Sequence, residues 1–107
     1  IYVSDVARAN ICAMKAAASD KNYNVGSGVQ TSILELTNLI LNITGSDQKI
    51  QYEPAGKTFV TNRIGDPHLA TEELGFTYTI ELEEGLRKLI EWRSAHKELV
   101  EQRRKRA

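Results

Sequence analysis

Tyr23-Asn24-Val25-Gly26-Ser27-Gly28-Val29-Gln30-Thr31-Ser32-Ile33-Leu34-Glu35-Leu36 is the stretch whose reading decides the fold class. Tyr23-Asn24-Val25 reads as a short strand that ends at Gly26. Ser32 and Glu35 have the spacing of a capping box, in which each side chain satisfies the other residue's backbone N–H. Ile33, Leu36, Leu39, Ile40 and Ile43 then recur at helical spacing, the strongest amphipathic stripe in the chain, and Gly45 stops it. Strand, turn and helix in succession are the unit of an α/β domain.

On the N-terminal side, Ile1-Tyr2-Val3 reads as a strand, so the chain is expected to begin in the middle of a fold with something upstream missing. Ser4 and Asp5 offer caps for a helix running to about Ala18, whose narrow face of Val6, Ala9, Ala13, Met14 and Ala17 suits close packing. On the C-terminal side, Lys49 to Tyr52 alternates in the strand manner. Pro54 and Gly56 close that strand and begin an irregular stretch reaching Asn62. Pro67 opens a short helix that Gly75 ends. A final helix, capped near Thr79, carries Leu82, Leu86, Leu89 and Ile90 as its buried stripe, closed by Trp92. The expected architecture is a small mixed α/β domain of about four helices and two or three short strands, its sheet small or completed elsewhere.

At 107 residues the chain is one domain, with room for a single core. Fourteen basic residues balance fourteen acidic ones, so no global field recruits nucleic acid or an anionic membrane. Residues 97–107 hold Lys97, Arg103, Arg104, Lys105 and Arg106 against Glu98 and Glu101, a local excess of +3. They read as a basic helical tail whose cations suit the C-terminal end of the helix dipole. No apolar run is long enough to span a membrane, and no signal peptide is recognisable, so a cytoplasmic protein is expected.

Candidate chemistry is sparse. Cys12 is the single cysteine and sits among Ile11, Ala13 and Met14, the setting of a small buried thiol, and it allows neither an internal disulfide nor a cysteine-based zinc site. His68 and His96 are far apart without clustered carboxylates, so both read as surface histidines and no metal site is expected. Glu83 and Glu84 are helical neighbours that point about 100° apart, a solvated face rather than an acid–base pair. Gly26-Ser27-Gly28 stands where a dinucleotide fingerprint would. However, Thr31 occupies the third glycine position, and Asp47, the only candidate for the distal acid, precedes the next strand instead of ending it. A tight turn is the better reading, and no cofactor is assigned to this chain.

Arg63-Ile64-Gly65-Asp66 carries the functional reading. A guanidinium fork matches phosphate oxygens, and a nearby carboxylate accepts from sugar hydroxyls, which suggests a phosphorylated sugar or nucleotide. The alternative is a surface turn with Arg63 solvated and Asp66 capping the helix that Pro67 opens.

In order, these segments resemble the C-terminal part of the NAD-dependent sugar-nucleotide epimerases and dehydratases, the extended short-chain dehydrogenase/reductases. The resemblance runs collinearly through Ile1-Tyr2-Val3-Ser4-Asp5-Val6-Ala7, Tyr23 to Gly28, Thr31 to Leu36 and Ile50-Gln51-Tyr52. It continues through Arg63 to Asp66, Glu73-Leu74-Gly75-Phe76, Leu82 to Leu86, and Ile90-Glu91-Trp92. It implies that residues 1–107 are a nucleotide-sugar-binding lobe, that a Rossmann domain binds NAD and holds the catalytic Tyr-x-x-x-Lys pair outside this chain, and that the intact enzyme can be a homodimer. Tyr2, Tyr23, Tyr52 and Tyr78 each lack a lysine four residues on, so no catalytic residue is carried over. By position, Arg63 would contact the pyrophosphate and Asp66 the nucleotide ribose, while Asp5 reads as a helix cap near the lobe junction. Many family members place several residues between the Arg-x-Gly-Asp element and the short helix; here Pro67 follows at once, so sugar specificity is not transferred. The pattern is nearest to UDP-glucose 4-epimerase. Decarboxylases, dehydratases and reductases of nucleotide sugars are its rivals, and a stand-alone interaction module is the reading from a different class.

Overall fold

The computed structural model describes residues 1–18, 20–54 and 63–105. Five helices stand among them: α1 (Val3–Lys15), α2 (Ile33–Thr44), α3 (His68–Leu74), α4 (Leu82–Ala95) and α5 (Lys97–Arg104). No strand occurs among the described residues, so the α/β expectation with two or three strands is corrected to a helical arrangement. Alternation states which side of an extended segment is apolar, but a strand exists only where a second backbone supplies ladder partners. Tyr23–Val25 and Lys49–Tyr52 have no such partner among the described residues. Tyr2 is extended, yet its carbonyl accepts from the N–H groups of Asp5 and Val6 and so opens a helix instead of joining a sheet. Gly56, Asn62 and Arg106 lie outside the described residues, and with them most of the expected irregular stretch.

Local chemistry sets the helix ends. Ser32 Oγ accepts from Glu35 N–H at 3.1 Å while Glu35 Oε2 accepts from Ser32 N–H at 2.7 Å, the reciprocal box read from the sequence. Gly45 and Gly75 take left-handed φ of 63° and 64° and end α2 and α3. Two ends differ from expectation. α1 starts at Val3, placing Ser4 and Asp5 inside its first turn, and stops at Lys15 because Ala16 turns to extended backbone. Thr79 does not cap α4, whose N-cap is Glu81, because its N–H and hydroxyl are both bonded to Asp5.

The core is small. Ala9 of α1, Ala70 of α3 and Phe76 are buried together, and Cys12, Tyr23, Val25, Leu74 and Tyr78 pack around them. Of the stripe expected on α1 only Ala9 is buried, against α3, with Cys12 beside it; Val6, Ala13, Met14 and Ala17 are exposed. Gly85 of α4 is buried against Tyr2: a methyl group there would lie 3.2 Å from Tyr2 Cδ2. The α2 stripe is only partly covered, with Leu36, Leu39 and Ile43 half-buried and Ile33 exposed. At His96 the backbone leaves helical geometry, with φ −120°, and separates α4 from α5; the His96 ring stacks on Trp92 with centroids 4.8 Å apart.

Candidate anion-binding corner

Two turns distant in sequence form the corner. Pro67 precedes α3, and Asp66 Oδ1 accepts from the His68 N–H at 2.9 Å, so the carboxylate does serve the helix start. Behind the corner lies the Tyr23 to Gly28 segment. A methyl group on Gly65 would meet Asn24 Cβ at 3.6 Å, and one on Gly28 would meet Pro67 Cδ at 3.2 Å. The glycine turn and the Arg63–Asp66 element, read separately from the sequence, are thus back to back.

Arg63, Ile64, Gly65 and Asp66 are all exposed. Among the described residues, no carboxylate pairs with Arg63, and Arg63 and Asp66 form no ion pair with each other. The exposed guanidinium thus has its donors open to solvent, whereas Asp66 has one oxygen committed to α3. An apolar cavity of about 300 Å³ lies elsewhere, between the chain start, α2 and α4, lined by Tyr2, Leu36, Tyr78, Leu86 and Leu89 among others. Neither Arg63 nor Asp66 lines it.

α3, which carries the corner at its start, is also fixed at its far end. Glu73 Oε1 accepts from Lys21 Nζ and Oε2 from the Tyr23 hydroxyl, both at 2.7 Å. The Lys21 and Tyr23 bonds hold the Glu73 carboxyl below its ordinary pKa, and the bond to Glu73 raises the Tyr23 phenol. Asp5 organises the approach to α4. It is buried, with Oδ1 accepting from Arg8 Nη2 at 2.7 Å and the Thr79 hydroxyl at 2.8 Å, and Oδ2 accepting from the N–H groups of Thr79 and Ile80 at 3.0 and 2.9 Å. Burial works to raise its pKa, but the Ile80 N–H, the Arg8 guanidinium and the two Thr79 donors outweigh it and hold the carboxyl well below the carboxylate range. Arg8 also donates to the Thr77 carbonyl and lies 5.0 Å over the Phe76 ring. Asp5 is therefore a cross-link between distant backbone segments, not a cap of its own helix.

Sequence reading missed Arg8, Tyr23, Asn24 and Glu73 as supports of this region. Arg8 three residues after Asp5 on a helix otherwise rich in alanine was the available signal. His68 and His96 are exposed, as are Glu83 and Glu84, which pair with Arg87 and Lys88 one turn on. Among the described residues no cluster of His, Cys, Asp or Glu has metal-holding geometry, and no helix is long and apolar enough to cross a membrane. Pro67 lies beside Gly28, and α2 begins at Ile33, several residues beyond the glycine turn.

No family model matches the chain. It is 32% identical over 97 residues to the UDP-N-acetyl-α-D-glucosaminuronate decarboxylase of Bacillus cytotoxicus, covering 85% of this chain and 30% of that protein. Among solved structures, the Bordetella bronchiseptica enzyme WbmF in complex with NAD+ and UDP superposes with a TM-score of 0.80 and 36% identity, over 95% of this chain and 31% of that one. The UDP-glucose 4-epimerase of Thermotoga maritima with UDP-glucose superposes with a TM-score of 0.76 and 39% identity, over 81% of this chain and 28% of that one. The chain thus spans less than a third of the length of the proteins it matches.

Proposed function

This chain is a homologue of the C-terminal part of the NAD-dependent sugar-nucleotide epimerases and dehydratases, and we propose that it is the lobe of such an enzyme that holds the nucleotide diphosphate of a nucleotide sugar. Arg63 contacts the pyrophosphate. Asp66 contacts the nucleotide ribose through Oδ2 while Oδ1 stays on the His68 N–H. The observation that carries this reading is the exposed Arg63 guanidinium, unpaired among the described residues and set on a corner braced from behind by Asn24 and Gly28. The bracing acts on the backbone of the corner, and the exposed guanidinium can swing onto a diphosphate and offer it a planar fork of donors.

NAD belongs to the proposal as a cofactor of the intact enzyme, bound by residues outside this chain, where it supplies the hydride chemistry. Within the family we favour a cytoplasmic UDP-sugar 4-epimerase, supported by the likeness to the Thermotoga maritima enzyme and by the sequence pattern. The decarboxylase among the relatives supports the nearest rival about equally. Incubating the full-length protein with UDP-glucose and with UDP-glucuronate-type sugars, and identifying the products, separates the two: a 4-epimer without loss of carbon supports the epimerase, and release of CO2 overturns it. For the corner itself, Arg63→Ala in the full-length protein should weaken UDP binding roughly tenfold to a hundredfold, the scale of a lost charge-assisted contact. Unchanged UDP affinity would remove Arg63 from the site.

A further inference from the structure

We propose that Gly28 is a positioning residue for the nucleotide-diphosphate corner, acting through Pro67; this rests on the reading of Arg63 and Asp66 given above. Gly28 has φ +71°, a conformation that side chains resist, and it is exposed, so packing of a core does not account for it. A methyl group there would lie 3.2 Å from Pro67 Cδ, closer than ordinary contact, and 3.4 Å from Cγ, at its limit. Cδ is bonded directly to the Pro67 nitrogen, so no rotamer change relieves the approach. The push passes straight into the Asp66–Pro67 peptide, one bond network away from the Asp66 side chain.

The displacement has few places to go. α3 is tied at its other end by Glu73 to Lys21 and Tyr23, which belong to the same segment as Gly28. The helix therefore cannot slide away from Gly28 without breaking those bonds, and the Arg63–Asp66 corner takes up the shift. The neighbouring glycines are different: a methyl on Gly65 finds Asn24 at an ordinary 3.6 Å, and one on Gly26 meets nothing within 4 Å. Gly28 alone of these three sets the distance between the two turns.

UDP affinity, measured by titration calorimetry, and melting temperature are compared in the full-length wild type, Gly28→Ala, Pro67→Ala and the double variant, with Arg63→Ala as the control for the corner. Gly28→Ala should weaken UDP binding about fivefold in the wild-type background and less than about twofold in the Pro67→Ala background, the non-additivity expected of touching residues. Melting should fall in both backgrounds through the positive φ penalty, and somewhat further where Pro67 is present, because the Cβ then also presses on its ring. Gly28→Asn carries the same Cβ but tolerates left-handed φ, so it should match Gly28→Ala in affinity with a smaller loss of melting temperature. An affinity cost equal in both backgrounds, wild-type affinity in Gly28→Ala, or wild-type affinity in Gly28→Asn would each overturn the proposal. If Arg63→Ala weakens UDP while the Gly28 variants do not, the corner stands and the role of Gly28 falls.

Discussion

The Tyr23 hydroxyl donates to Glu73 Oε2 at 2.7 Å and joins the segment behind the candidate site to the last turn of the helix that carries it. Lys21 grips the other oxygen of the same carboxylate, so α3 is held at its end by two donors from one short stretch. The half-buried phenol is also part of the packing around Ala9, Ala70 and Phe76. Tyr23→Phe keeps that ring in place and removes only the donor. It should lower the melting temperature slightly and weaken UDP binding about twofold to fivefold, since Lys21 still holds Glu73. Calorimetry on the full-length protein checks both; an unchanged affinity would mean that α3 is set by its start alone.

Helix boundaries were legible where their chemistry is local. The Ser32–Glu35 box, the left-handed Gly45 and Gly75, and the Asp66 carboxylate on the α3 start each involve residues within a turn or so of one another. Strands were misread because a pattern such as Lys49 to Tyr52 says nothing about whether a second backbone lies beside it. Asp5 shows the same limit from another side: it reads as a cap of its own helix, but the backbone N–H groups it accepts from lie 74 and 75 residues away. The contact of Gly28 with Pro67 is equally non-local, and neither residue announces the other. Arg63 and Asp66 read by themselves as a surface turn and become a candidate site only through their place in the family-like order of segments; the residues behind them carry no such mark.

Acid stability follows from Asp5. Its folded pKa lies below the unfolded value of about 3.9, so below that pH the unfolded chain binds more protons than the folded one. The stabilisation is therefore fully present well above the unfolded pKa and is lost as pH falls toward the folded value. Glu35 and Glu73, also lowered, add in the same direction. Asp5→Asn should reduce stability at pH 7 and flatten the acid limb of a melting-temperature profile taken from pH 7 down to about pH 3. A variant whose profile keeps the wild-type slope would show that the Asp5 network contributes no pH-linked stability. Arg8 and the donors at Thr79 and Ile80 would be left facing an amide, which can accept at one end only.

Asp66 has two duties in the proposed site, and they can be separated. Capping needs only a short side-chain oxygen near the His68 N–H, so Asp66→Ser should keep the melting temperature close to wild type, whereas Asp66→Ala should cost about 1 kcal/mol. Ribose recognition needs a second acceptor reaching outward, which serine lacks. Wild-type protein should therefore prefer UDP over 2′-deoxy-UDP by roughly tenfold, the scale of a hydrogen bond to a charged group, and Asp66→Ser should bind the two alike. Competition titrations of both nucleotides against each variant decide the matter. If Asp66→Ser keeps the preference for UDP, the ribose is read elsewhere and Asp66 is a helix cap, leaving Arg63 as the ligand contact of this corner.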